Sequence, residues 1–246
     1  MDNFDIVTLR RQFLTATPFN HVILDNFLDT VLAKEIELEL RTMPLEDWYE
    51  KGINPANISN INNQSDTIVQ SKKIALNIRE QIPEKTNTVI DLFSSKKMLK
   101  FIEDITNIPN LQADKHLLGG GVHKTTTEGR LAIHCDFNIH PQTGQNRRLN
   151  ALLYLNSDWK PEYNGELELW NRDMSVCEQK IEPLLNRLII FRITDDALHG
   201  HPNKWLAPKN YDRLSLAFYY YTDPRPEEEK SQFHWAIWYK RFGQYY

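Results

Sequence analysis

Cysteine is scarce in this chain of 246 residues, with Cys135 and Cys177 as its two thiols. Two cysteines cannot build a disulfide framework, and their separation is not that of a zinc ribbon, so small folds held by cross-links or structural zinc are excluded. An excess of basic charge is also missing. The formal net charge is −4, the wrong sign for a protein whose main partner is a nucleic-acid polyanion. No apolar run approaches the ~20 residues that span a bilayer. The opening Met1-Asp2-Asn3-Phe4-Asp5 lacks the basic region and apolar stretch of a secretory signal. Neither a GxSxG nucleophile elbow nor a GxxxxGK(S/T) phosphate loop occurs. The expectation is a cytoplasmic protein in a reducing compartment, without nucleic-acid or membrane partners. Its oligomeric state is not legible.

The length suits one large domain with a substantial core, and no linker or internal repeat divides it. Three regions are expected within a single domain over residues 1–246. Residues 1–110 form a mainly helical support, 111–222 a strand-rich core, and 223–246 an aromatic C-terminal tail. In the first region, His21-Val22-Ile23-Leu24 reads as a strand. Asp29 is placed to cap a helix running to about Met43, with Leu28, Leu32, Ile36, Leu40 and Met43 on one stripe. Residues 51–70, rich in Asn and Ser, read as a long loop with a short strand at Thr67-Ile68-Val69. Helices are predicted over Ile74–Gln81, Glu84–Phe93 and from Ser95 to Thr106, closed by Pro109. Downstream of Leu111, strands and turns dominate through Thr222. Helices first and strands later indicate an α+β fold: a double-stranded β-helix (jelly-roll) core supported by N-terminal helices.

Within the core, Leu131-Ala132-Ile133-His134-Cys135-Asp136-Phe137-Asn138 reads as a strand. Side chains alternate faces along a strand, so His134 and Asp136 share one face and Cys135 takes the other. An imidazole and a carboxylate on one face are two-thirds of the 2-His-1-carboxylate triad that holds Fe(II) and leaves positions open. The third ligand must come from elsewhere. Leu198-His199-Gly200-His201-Pro202 offers His199, with His201 as its rival on the same face of an extended strand.

Further segments follow in order: Arg148 to Trp159, containing Leu152-Leu153-Tyr154-Leu155-Asn156; Asn164-Gly165-Glu166-Leu167-Glu168-Leu169-Trp170; Leu188-Ile189-Ile190-Phe191; and Arg213 to Thr222. The series over residues 85–222 resembles the Fe(II)/2-oxoglutarate-dependent dioxygenase superfamily, in its prolyl-4-hydroxylase-like branch. It departs at Asn164-Gly165, where the branch usually has two glycines, a mild change because Asn also tolerates left-handed backbone angles.

The resemblance implies a non-haem enzyme using Fe(II), 2-oxoglutarate and O2. His134, Asp136 and His199 would be metal ligands and catalytic residues, the first histidine of His-Gly-His-Pro matching the ligand position. Arg213 and Tyr154 would bind the far carboxylate of 2-oxoglutarate, with Ser215 as a further donor. His123 falls near a co-substrate or substrate contact. A guanidinium suits this role because its donors match a carboxylate in a fork. The implied reaction hydroxylates an unactivated carbon of an amino-acid-type substrate, whether a prolyl or other residue, a free amino acid or a peptide. Succinate and CO2 are released. Halogenating relatives have a small residue where Asp136 stands, so hydroxylation is favoured. Two other readings remain beside it: a metal-free jelly-roll binding module, and a cupin-type metalloenzyme that does not use 2-oxoglutarate. Cys135 is expected to face away from the iron. His140 and the Asp195-Asp196 pair are expected in solvent, and the aromatic tail is expected to dock on the helices as core rather than cover the barrel mouth.

Overall fold

A computed structural model describes residues 1, 3–44, 48, 69–223 and 232–239. The loop expected over 51–70 and its Thr67–Val69 strand lie almost wholly outside the described residues, as do Phe242, Tyr245 and Tyr246 of the tail.

Four helices are described: α1 (Ile6–Thr15), α2 (Thr30–Thr42), α3 (Glu84–Ser94) and α4 (Lys96–Thr106). Each of α1, α2 and α4 begins where a short polar side chain satisfies first-turn amides. Asp5 accepts from Val7 and Thr8, Asp29 from Val31 and Leu32, and Ser95 from Met98. Asn107 ends α4 in the left-handed conformation (φ 57°) that asparagine tolerates.

The strands are β1 (His21–Leu24), β2 (Gln70–Leu76), β3 (Gln112–Ala113), β4 (Gly121–Cys135), β5 (Asn146–Tyr154), β6 (Leu167–Trp170), β7 (Cys177–Ile181), β8 (Leu188–Arg192), β9 (Leu198–His201), β10 (Arg213–Thr222) and β11 (Ile237–Tyr239). They pair antiparallel throughout, in the order β1-β8-β5-β10-β4-β9-β6-β7, with β2 and β11 on β4 and β3 on β10. This is the curled sheet of a jelly roll.

β4 holds it together. Its first half pairs with β10 and its second with β9, so one strand serves both sides of the roll. Between them the backbone turns through Glu128 (φ 68°) and Gly129. The outward face of β5, β8 and β10 (Leu149, Ala151, Leu153, Leu188, Ile190, Leu214, Leu216, Phe218) packs with Phe13, Ile36, Leu40, Phe93 and Ile102 of the helices in one buried cluster. Arg213, Ser215 and Ala217 therefore face the interior.

Three sequence expectations change here. Residues 74–76 are strand, not helix, and only Arg79–Gln81 forms a helical turn. The short apolar run Ile74-Ala75-Leu76 fits either element, and β4 offered an edge to pair with. The N-terminal stretch, featureless by pattern, contains α1. His140 is buried beside Asp114 (3.6 Å) and edge-on to Tyr221, not solvated. No helix among the described residues is long and apolar enough to cross a membrane.

Candidate metal centre and its basic chamber

His134 leaves β4 directly opposite His199 on β9, because these two residues are register partners. Their rings lie 4.5 Å apart. Gly200 makes the pairing possible, since a Cβ there would sit 2.5 Å from the Ala132 carbonyl oxygen. Asp136 follows β4 and returns its carboxylate to the same face. Its Oδ1 is 3.6 Å from His134 Nε2 and its Oδ2 is 3.4 Å from His199 Nε2. One ligand atom from each residue lies within 4.8 Å of the other two. Cys135, between them, points into a separate buried cluster with Ile133 and Leu198, and burial pushes its thiol up to about 11.

The donor chemistry fits a cation. Nδ1 of His134 lies 2.9 Å from the Ala132 carbonyl, and Nδ1 of His199 lies 2.9 Å from the Ala197 carbonyl. A carbonyl only accepts, so both Nδ1 atoms carry hydrogen. Both Nε2 lone pairs then face the carboxylate. The 3.4–3.6 Å gaps are too wide for hydrogen bonds and match a space that a metal would fill. Burial also lowers the His134 pKa, favouring the neutral ligand form.

β5 steadies the carboxylate. Arg147 Nη2 lies 3.1 Å from Asp136 Oδ2, and Asn150 Nδ2 donates to the same oxygen at 2.7 Å. Arg147 is itself fixed by two hydrogen bonds to Asn150 Oδ1 and by stacking 3.5 Å above the Tyr219 ring. Burial alone would raise the Asp136 carboxyl. Arg147 and the two imidazoles outweigh it and hold that group well below the usual carboxylate range. Neither Arg147 nor Asn150 was legible in sequence. A bulge between the pairs Tyr220↔Leu149 and Tyr221↔Arg147 breaks the alternation that would have put Arg147 outside, and turns it inward.

Beside the metal set, register builds a second cluster. Ser215 pairs with both Tyr154 and His123, and Arg213 pairs with Thr125, so these side chains share the inner face. Arg213 is buried, donates from Nε to the Gly165 carbonyl at 2.8 Å, and lies 5.0 Å from the Tyr154 ring centroid. The Tyr154 hydroxyl is buried without a hydrogen bond of good geometry. No carboxylate lies within ion-pair distance of Arg213 among the described residues. A buried guanidinium and an orphaned hydroxyl side by side suit a bound carboxylate. His123 donates from Nε2 to the Gly119 carbonyl, and burial lowers its pKa well below normal.

His201, two residues beyond His199, pairs with Leu131 rather than with His134. It is not part of the converging triad. It is buried, with Nδ1 unpartnered, within electrostatic reach of Arg213, Lys73 and His123. Lys73 is a further residue missed in sequence. The described part of the tail, residues 232–239, lies on the sheet and not on the helices. β11 instead pairs with β4, laying the Trp238 ring 4.7 Å from the His134 ring, while Trp235 and Phe233 stay exposed.

The family model described as the 2OG-Fe(II) oxygenase superfamily matches residues 120–221. A prolyl hydroxylase from Trichoplax adhaerens, in complex with a hypoxia inducible factor oxygen degradation domain peptide fragment, is similar at TM-score 0.61 and 17% identity. The match covers 88% of each chain. A Pseudomonas putida prolyl-4-hydroxylase is similar at TM-score 0.56 and 17% identity, covering 87% of this chain and 98% of its own. HygX from Streptomyces hygroscopicus, with nickel, 2-oxoglutarate and hygromycin B bound, is similar at TM-score 0.56 and 12% identity over 87% of both. At these identities the likeness is one of fold.

Proposed function

We propose that this chain, whose residues 120–221 match the 2OG-Fe(II) oxygenase superfamily model on a fold shared with prolyl hydroxylases, is an Fe(II)/2-oxoglutarate-dependent dioxygenase that hydroxylates an unactivated carbon of an amino-acid-type substrate. The observation that carries the reading is the convergence of His134, Asp136 and His199 beside the buried Arg213–Tyr154 pair.

When bound, Fe(II) and 2-oxoglutarate supply the oxidative decarboxylation that activates O2 for hydroxylation and yields succinate and CO2. The chain's own residues bind and orient. His134, Asp136 and His199 would hold the metal, one ligand atom from each. Arg213 receives the far carboxylate of the co-substrate, Tyr154 donates its hydroxyl to it, and Ser215 lies between Tyr154 and His123 as a further donor. His123 borders the same chamber. Arg147 and Asn150 position Asp136 so that one oxygen is committed to them and the other is free for metal. Phe191 and Trp238, packed on the rings of His199 and His134, shield the ligands from bulk water. A carboxylate at position 136 would itself be a metal ligand where halogenating relatives have a small residue, which supports hydroxylation.

The test is anaerobic addition of Fe(II) and 2-oxoglutarate to the apo-protein, followed by visible spectroscopy. A weak metal-to-ligand charge-transfer band is expected, lost in His199→Ala and Asp136→Ala and weakened in Arg213→Ala at limiting 2-oxoglutarate. No band, with no 2-oxoglutarate binding by calorimetry, would leave a metal-free binding module or a cupin-type enzyme as the better account.

A further inference from the structure

Lys73 is a buried-side cation that the proposed reaction does not use. It pairs with Thr125 of β4, which pairs on its other edge with Arg213, so Lys73, Thr125 and Arg213 form one row across three strands on the inner face. The row depends on a bulge. Register shifts between Ser71 and Lys73, and Lys72 takes φ 52°, sending Lys72 outward to Glu128 at 2.9 Å while Lys73 turns in. Lys73 is half-buried, within electrostatic reach of Arg213, Arg147 and Asp136. No carboxylate lies within ion-pair distance of it among the described residues. Burial, and then Arg213, push its pKa down to about 8.

Among the described residues, three cations outnumber the carboxylates that act on them. Asp136 acts on Lys73 and Arg147, and Glu166 on Arg213. His123 adds no charge, because burial keeps its imidazole neutral. A divalent metal and a dianionic co-substrate together add nothing to this sum. With Arg147 given to Asp136 and Arg213 to the co-substrate carboxylate, Lys73 is left over. The orphaned Nδ1 of buried His201, within electrostatic reach of Lys73, is a second polar group there without a partner.

We propose that Lys73 sets substrate specificity by receiving a carboxylate of the substrate, so that the substrate is a small molecule with a free carboxylate, such as a free amino acid, and not an internal residue of a protein. The inference rests on the dioxygenase reading above and narrows its substrate class. A half-buried cation with no carboxylate in ion-pair reach rewards a ligand that brings the matching charge and disfavours one that leaves it unpaired.

The experiment uses the anaerobic Fe(II)·2-oxoglutarate complex. The twenty free L-amino acids, and the same set as C-terminal amides, are each added while the charge-transfer band is recorded. At least one free acid is expected to shift the band, with its amide at least tenfold weaker. Lys73→Met should bring the free acid to the level of its amide. Lys73→Arg should retain the preference, and 2-oxoglutarate affinity should stay within about twofold in both variants. The proposal is overturned if no free acid shifts the band, if amides bind as well as acids, or if Lys73→Met leaves the free acid unaffected. Loss of 2-oxoglutarate affinity in Lys73→Met would also overturn it, placing Lys73 in the co-substrate clamp with Arg213. Absence of any band in the wild-type protein is a different result, and it counts against the dioxygenase reading itself.

Discussion

Asp136 Oδ2 is shared: it lies 3.1 Å from Arg147 Nη2 and 3.4 Å from His199 Nε2, so the guanidinium of β5 and an imidazole of β9 meet at one oxygen. A carboxylate held in this way cannot rotate freely. Its second oxygen is presented to His134 at a fixed angle.

Arg147→Met should therefore act through Asp136. Outer partners of metal ligands typically control affinity by about 10–100-fold, and a loss in that range is expected for Co(II), read by competition with a chelator. Asn150→Ala, which removes one hydrogen bond to the same oxygen, should fall at the low end. Equal metal affinity in Arg147→Met and the wild type would remove Arg147 from this role.

Metal should stabilise the fold. A ligand at 100 times its Kd adds about 2.7 kcal/mol to the folded state, and each kcal/mol moves Tm by about 2–4 °C in a chain of this size. Anaerobic thermal denaturation with and without Fe(II) is expected to show a rise on the order of 5–10 °C. His134→Ala, Asp136→Ala and His199→Ala should abolish the rise, whereas His201→Ala should keep it. That last comparison decides between the two histidines of β9.

Gly165 adopts φ 82°, and a Cβ there would stand 2.5 Å from the Trp205 ring and 3.2 Å from Arg213 Cδ. Gly165→Ala should move the carbonyl that receives Arg213 Nε, loosening the clamp. The expected result is a rise in the Kd for 2-oxoglutarate of at least tenfold, with Co(II) affinity nearly unchanged. Calorimetric titration of each ligand separates the two.

Lys73 makes the apo-protein's stability depend on pH in the alkaline range. Its folded pKa lies near 8, against an ordinary value near 10.5. Between those values the unfolded chain holds a proton that the folded chain has released, so unfolding free energy rises with pH across that window. Urea midpoints at about pH 7.5 and about pH 9.5 should differ in this direction for the wild type. In Lys73→Met the difference should shrink, and the midpoint at the lower pH should increase. A wild-type midpoint that falls with pH would contradict the burial of this lysine.

The legible part of the site is the part where residues two apart stay on one face. His134 and Asp136, two residues apart across the end of β4, come to one face, and Arg213 and Ser215 share a face by alternation on β10. Caps made α2 and α4 readable, since Asp29 and Ser95 precede their apolar stripes. Lys73 and Arg147 were hidden because each lies beside a bulge, where one inserted residue inverts the alternation. The end of β2, residues 74–76, reads as helix in sequence because three apolar residues in a row carry no period of their own. Trp238 reaches the candidate metal site by pairing across about a hundred residues of sequence, for which the aromatic tail gives composition but no register.

Both edges of β4 are taken along most of its length. β10 and β9 cover one edge, and β2 followed by β11 cover the other. An unpaired edge bearing Leu131-Ala132-Ile133-His134-Cys135 would be an apolar, β-prone template for another molecule's strand. In the described tail, β11 covers the edge of β4 at Ile133–Cys135, beside the candidate metal ligands. Removing residues 232–246 should make the protein prone to fibrillar aggregation even where the metal ligands themselves are intact.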